Sequence, residues 1–111
     1  MNAIASVERL IELMAELRDT LRRTEVSLRW ALKMIEGGSD IATAVLATKP
    51  TATRSDINGA LKEVECARHD MRLQIFAAAL DRGTSIAELG RLFGFSRQLA
   101  ARYAKEARAS T

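Results

Sequence analysis

The first third of the chain carries apolar residues at a seven-residue spacing. One line of this repeat consists of Val7, Met14, Leu21, Leu28 and Ile35, and the line four positions before it consists of Ala3, Leu10, Leu17, Thr24 and Ala31. Residues spaced in this way share one face of an α-helix and form the seam of a coiled coil. The pattern predicts a long helix from about Ala3 to Ile35, ended by Gly37 and Gly38, which tolerate left-handed backbone conformations.

Further apolar residues widen both edges of this stripe, which indicates that the helix packs against more than one neighbour. They are Ile4, Ile11 and Leu32 at one edge, and Leu13 and Met34 at the other. At 1.5 Å per residue the helix would be about 50 Å long, which is more than a small domain needs. We therefore expect it to form the core of a homodimer. The predicted interface residues are Val7, Leu10, Met14, Leu17, Leu21, Leu28 and Ile35.

The middle of the chain predicts a short helical segment followed by a connector. Ser39 or Asp40 can cap a helical turn that runs from residue 41 to 47. Pro50 lies in the segment 49–53, and a proline interrupts a continuing helix because it lacks a backbone N–H. This segment is therefore expected to connect two helices.

A second long helix is expected after the connector. Thr53 and Asp56 have the spacing of a capping box, so the helix should start at Arg54 or Ser55 and run to Arg82. Its apolar stripe consists of Ile57, Leu61, Val64, Met71, Ile75, Phe76, Ala79 and Leu80.

The last third of the chain has the pattern of two short helices joined by a tight turn. Ser85 and Glu88 form a capping box that opens a helix over residues 86–93. Ser96 can cap a second helix over residues 97–108. The predicted order is therefore helix, three-residue turn, helix.

In this segment, small residues are expected at the helix crossing and in the turn, and apolar residues are expected in the core between the helices. Gly90 is small where the two helices would cross, and Gly94 can adopt the positive φ that the turn requires. The predicted core between the helices consists of Leu89, Phe93, Phe95, Ala100 and Tyr103. The face of the second helix that remains exposed carries Ser96, Arg97, Gln98, Ala101, Arg102 and Lys105.

The sequence from Thr84 to Tyr103, TSIAELGRLFGFSRQLAARY, resembles the helix-turn-helix superfamily of bacterial and phage repressors and resolvase-type DNA-binding domains. The resemblance covers about 26 residues, or nearer 45 if the helix that ends at Arg82 is the first of a three-helix unit. It implies that residues 97–108 form a recognition helix in the major groove of DNA. It implies base contacts by Arg97, Gln98, Ala101 and Arg102, and backbone contacts by Thr84, Ser85, Arg91, Ser96 and Lys105. The superfamily usually has Ala at the position of Gly90 and a branched aliphatic residue at that of Ala100.

Composition and charge agree with this interpretation. One proline and five aromatic residues in 111, beside abundant Ala, Leu, Arg and Glu, predict an all-α fold. Residues 82–111 contain six basic and two acidic side chains, a net charge of +4, whereas residues 1–50 are balanced and residues 51–81 carry −1. The positive excess therefore lies in the segment expected to meet a polyanion.

Catalytic and metal-binding patterns are weak. Cys66 and His69 are three residues apart, which is the spacing of half a metal site, but the remaining ligands are missing. The sequence has no glycine-rich phosphate loop and no nucleophile motif. We expect a protein that is not an enzyme and that needs no metal or other cofactor.

The sequence as a whole predicts an all-α homodimer that binds double-stranded DNA. Residues 1–53 would dimerise, and residues 54–111 would form a trihelical DNA-binding domain. We expect a cytoplasmic, nucleoid-associated transcriptional repressor of bacterial or phage type that reads an inverted repeat, without membrane contact or small-molecule effector. Two alternatives remain open: a sequence-independent nucleoid protein, and a helical scaffold or adaptor that does not bind DNA.

Overall fold

The computed structural model describes residues 2–109, which form α-helices and, within that range, no β-strand. The helices are α1 (Ala3–Glu36), α2 (Ile41–Leu46), α3 (Pro50–Asp81), α4 (Ile86–Phe93) and α5 (Arg97–Ala109). The predicted all-α class is confirmed. None of the helices in this range is long and apolar enough to cross a membrane.

Three glycines end three of the helices in the same way. Gly38, Gly83 and Gly94 have φ values of 104°, 91° and 71° and follow α1, α3 and α4. Each donates its N–H to the carbonyl three residues back, and the next residue donates to the carbonyl five residues back. This pair of hydrogen bonds satisfies carbonyls that the helix end would leave without partners. The predicted helix ends at these glycines are confirmed.

The predicted start of the second long helix is wrong. Pro50 is the first residue of α3, where a missing N–H costs nothing because no carbonyl precedes it within the helix. The N–H of Thr53 donates to the carbonyl of Lys49 at 3.1 Å, and the Thr53 hydroxyl donates to the carbonyl of Thr48 at 3.3 Å. Thr53 therefore lies inside the first turn and does not cap the helix with Asp56, and residues 50–53 are helical, not a connector.

The short helix α2 begins at the predicted cap. The Asp40 carboxylate accepts a hydrogen bond from the Thr43 N–H at 3.1 Å. Lys49, between α2 and α3, has a φ of 56°, a left-handed conformation that is uncommon for a residue with a side chain. It is the last of the three residues that separate the two helices.

The described chain divides into two compact units, each considered separately below. The first comprises the residues up to Leu10 together with Cys66 and the residues after it, and the second comprises Ile11–Glu65. The division falls within α1 and α3, so each of these helices contributes to both units. The expected domain boundary between residues 53 and 54 stays a prediction.

In the second unit, parts of α1, α2 and α3 lie side by side. Thr24 and Leu28 of α1, Val45 of α2, and Pro50 and Ile57 of α3 line one small apolar groove. The buried side chains of this unit are Leu13, Ala31, Ala44 and Val64.

The first unit is organised around Phe76 of α3, whose side chain is completely buried. Its ring lies 5.4 Å from that of Phe93 and 5.4 Å from that of Tyr103, measured between ring centroids. The buried cluster consists of Leu73, Phe76, Leu89, Ala100, Tyr103, Ala104 and Ala107, with Phe93 and Phe95 half-buried against it. The predicted core between α4 and α5 is therefore confirmed, and α3 supplies its centre.

Candidate nucleic-acid interface

The α4–α5 pair consists of two helices joined by the three residues Gly94, Phe95 and Ser96, as predicted. The hydroxyl oxygen of Ser85 accepts a hydrogen bond from the Glu88 N–H at 3.1 Å at the start of α4. The hydroxyl oxygen of Ser96 accepts one from the Leu99 N–H, also at 3.1 Å, at the start of α5. Both caps satisfy a backbone donor that has no partner within its helix.

The two helices cross closely at Gly90. A Cβ atom built on Gly90 would lie 3.1 Å from the Cβ of Ala100 and 3.5 Å from the carbonyl oxygen of Phe95. Both Gly90 and Ala100 are buried. The predicted close crossing at Gly90 is confirmed, and its partner is the side chain of Ala100.

His69 of α3 connects that helix to the middle of α5. Its Nδ1 lies 3.1 Å from the Tyr103 hydroxyl, and its Nε2 lies 3.3 Å from Oε1 of Glu106. Sequence reasoning paired His69 with Cys66 and missed these contacts, because 34 residues separate His69 from Tyr103. Cys66 is exposed, and residues 2–109 contain no group of three or more potential metal-ligating side chains.

A second contact joins α3 to the turn between α4 and α5. The guanidinium carbon of Arg72 lies 5.2 Å from the centroid of the Phe95 ring, within the range of a cation–π interaction. Phe95 also lies 5.0 Å from Tyr103 between ring centroids. The turn and the middle of α5 are thus both held against α3, which fixes the orientation of α5.

The exposed face of α5 carries the side chains expected to contact bases. Within α5, Arg97, Gln98, Ala101, Arg102 and Lys105 are all exposed, whereas Ala100, Tyr103, Ala104 and Ala107 are buried. Because residues one turn apart share a face of a helix, the exposed set forms one continuous strip. Of the residues expected near the phosphates outside α5, Ser85, Arg91 and Ser96 are exposed and Thr84 is half-buried.

Four cations of the α4–α5 pair are available to an external anion. Among residues 2–109, no ion pair involves Arg91, Arg97, Arg102 or Lys105. On α1, by contrast, Arg29 binds Glu25 with a nitrogen to oxygen distance of 2.8 Å. Because these groups have no ion-pair partner in the described chain, their hydrogen-bond donors remain available for an external anion.

The pKa of Glu25 shows the effect of such a pairing on α1. It lies below its ordinary value because the side chain accepts a hydrogen bond from Arg29, and the charges of Arg29 and Arg22 act in the same direction. Glu25 therefore stays ionised to lower pH than a free glutamate does.

A groove of about 400 Å³ lies between α4 and the start of α5. Ala87, Gly90 and Phe95 contribute apolar atoms to its lining, and Arg91 and Arg97 also line it. The absence of a side chain on Gly90 deepens it.

The residues predicted to form a dimer interface on α1 divide into three groups. Val7, Met14, Leu21 and Leu28 are exposed, Leu17 and Ile35 are half-buried, and Leu10 is buried. Leu10 therefore belongs to the core of its own chain in this structure, and the line of Val7, Met14, Leu21 and Leu28 remains accessible.

The chain was compared with protein-family models, curated proteins and solved structures, and none of them matches it.

Proposed function

We propose that the α4–α5 pair is a helix-turn-helix that binds double-stranded DNA with α5 in the major groove. The observation that carries the proposal is the division of α5 into two faces: one is buried against α3 and α4, and the other consists of exposed polar and cationic side chains. An α-helix fits the major groove, where base edges present donors and acceptors that differ for each base pair.

Each exposed side chain has a role that follows from its chemistry. Arg97 and Arg102 can each donate two hydrogen bonds to the O6 and N7 atoms of a guanine, and the Gln98 amide can pair with an adenine. Arg91 and Lys105 contact phosphates through charge. The hydroxyls of Ser85 and Ser96 accept hydrogen bonds from backbone N–H groups, which leaves each hydroxyl hydrogen for a phosphate oxygen.

We further propose that the protein acts as a homodimer and represses transcription. One α4–α5 pair has a small contact surface, and two copies related by a two-fold axis would double it and read an inverted repeat. The exposed apolar line on α1 supports the existence of a partner, because a monomer rarely exposes so many apolar side chains on one face.

Selection of bound sequences from random duplex DNA, at physiological salt, tests this function. We expect a palindromic consensus with half-sites about one helical turn apart, or a multiple of that distance. Binding without a consensus would support a sequence-independent nucleoid protein instead.

Salt dependence separates DNA binding from a scaffold role. Contacts to several phosphates should lower the affinity by orders of magnitude between about 50 and 200 mM salt, because bound counterions are released. No binding to any duplex at about 50 mM salt would refute the proposed function and favour a helical adaptor.

A further inference from the structure

Helix α1 presents two lines of residues at heptad spacing within the second unit. The first line faces the chain's own core and includes Leu13, Leu17 and Ala31, which are buried or half-buried. The second line is exposed. Its apolar members are Ile11, Met14, Leu21, Leu28 and Leu32, with exposed fractions between 47% and 62%.

Two charged residues interrupt the exposed line. Arg18 and Glu25 lie between Met14 and Leu28 in the sequence. They occupy the same heptad position as Ile11 in the preceding repeat and Leu32 in the following one. Arg18 and Glu25 lie with Met14 and Leu21 along one shallow surface groove of α1. The line therefore carries one positive and one negative charge near its centre and apolar residues towards both ends.

We propose that this exposed line pairs with the same line of a second copy of the chain, and that the two α1 helices run antiparallel. A parallel, in-register pair would bring Arg18 next to Arg18 and Glu25 next to Glu25, and like charges in a seam are unfavourable. An antiparallel pair brings each Arg18 towards the Glu25 of the other copy. The charge pattern is thus complementary to itself in only one of these two orientations.

Of the antiparallel registers that match the heptad positions of this line, two bring Arg18 within one helical turn of the Glu25 of the other copy. One places Arg18 opposite Leu21 of the other copy, and the other places Glu25 opposite Leu21. At 1.5 Å per residue, Arg18 lies about 6 Å along the axis from the opposing Glu25 in the first register and about 4.5 Å in the second. Both distances are within one helical turn, so the long side chains can form an ion pair in either case.

This inference rests on the proposed homodimer and specifies its interface, but its test requires no DNA. Cys66→Ser removes the native exposed thiol, and Lys33→Cys places a spin label on α1 beyond Leu32 and outside the exposed line. The distance between the two labels is then measured by pulsed electron spin resonance. The antiparallel pair predicts about 40 Å along the axis in the first register and about 30 Å in the second.

A parallel pair would give no more than about 20 Å, because the two labels would lie side by side. That result would overturn the orientation. If sedimentation analysis shows a monomer, the exposed line is not covered by a second copy of the chain, and the proposal is wrong. Because DNA is absent from this measurement, a monomer that still binds DNA would refute this inference and the proposed homodimer but not DNA binding. An antiparallel dimer that binds no DNA would refute only the proposed DNA binding.

Charge reversal provides an independent measurement. Arg18→Glu and Glu25→Arg should each raise the dissociation constant of the dimer about tenfold, since the symmetric dimer contains the contact twice. The double variant should return it close to the original value. In a parallel pair, Arg18→Glu would replace one like-charge contact with another and leave the constant nearly unchanged, which would contradict the antiparallel orientation.

Discussion

A methyl group added to Gly90 would lie 3.1 Å from the Cβ of Ala100. These two residues occupy the positions where the resemblance to helix-turn-helix proteins is imperfect, because the superfamily usually has larger side chains at both. The structure brings the two positions into direct contact. The two departures are therefore one feature: small residues on both sides allow α4 and α5 to approach closely.

We expect Gly90→Ala to destabilise the protein. Alanine in a helix interior is favoured over glycine by about 1 kcal/mol. However, the new methyl group meets a Cβ that is attached directly to the α5 backbone, so the helices must separate, and overpacking of this kind costs about 1–3 kcal/mol. Chemical denaturation should show a net loss of up to about 2 kcal/mol in the free energy of unfolding.

Gly59→Ala is the matched control for this variant. Gly59 lies inside α3 and a Cβ built on it has nothing within 4 Å, so the same substitution should stabilise the protein by about 1 kcal/mol. Equal stabilisation by both substitutions would show that the close approach at Gly90 exerts no steric cost.

The hydrogen bond between His69 and Tyr103 should contribute to the attachment of α5. Tyr103→Phe removes only the hydroxyl and is expected to lower the free energy of unfolding by about 1 kcal/mol. A double-mutant cycle with His69→Ala measures the interaction itself, for which we expect a coupling energy of about 0.5–1 kcal/mol. Strictly additive effects would mean that the 3.1 Å contact contributes nothing to stability.

Arg97 and Arg91 should differ in their effects on DNA binding. Arg97→Ala is expected to cost about 1–3 kcal/mol on the preferred sequence and to relax the base preference at one position. Arg91→Ala should weaken binding to all sequences alike and reduce the salt dependence. Fluorescence anisotropy measures the affinity of each variant for the selected duplex and for a random duplex. If Arg97→Ala lowers the affinity equally for both duplexes, Arg97 has no role in base recognition.

Leu21→Ala should weaken the dimer and DNA binding. The substitution removes apolar side-chain volume from the centre of the exposed line of α1 in both copies, and both registers bury that position against the second copy. Val26→Ala is its control, because Val26 is also exposed on α1 but lies on a different face. Sedimentation and anisotropy should show an effect for Leu21→Ala only, and equal effects would exclude the exposed line as the specific interface.

Point substitutions are better suited to this question than removal of α1. The residues up to Leu10 belong to the same compact unit as the α4–α5 pair, and Ser6 and Leu10 are buried. Deletion of residues 1–36 would therefore damage the candidate DNA-binding unit as well as the proposed interface.

Local features of the structure could be predicted from the sequence alone. The cap at Ser85, the turn at Gly94 and the ends of α1 and α3 depend on hydrogen bonds between residues at most five positions apart. The residue types at these positions are therefore sufficient to identify them. The strip of exposed residues on α5 follows from helical periodicity in the same way.

The start of α3 was also a local feature, but the sequence contained two competing signals. Pro50 can end a helix or begin one, and Thr53 with Asp56 has the spacing of a cap. The backbone of Lys49, with its φ of 56°, places its carbonyl oxygen where the Thr53 N–H can reach it, and this selects Pro50 as the first helical residue.

The sequence by itself determined which segments are helical, where glycines end α1, α3 and α4, and the two faces of α5, because these depend on neighbouring residues and on a fixed helical period. Only the tertiary structure decided that His69 binds Tyr103 and that Leu10 is buried while Val7 and Met14 stay exposed. A heptad repeat shows that a helix has an apolar stripe, but it does not show which part of the stripe its own chain covers. That choice depends on contacts between residues far apart in the sequence, and those contacts form only when the whole chain packs.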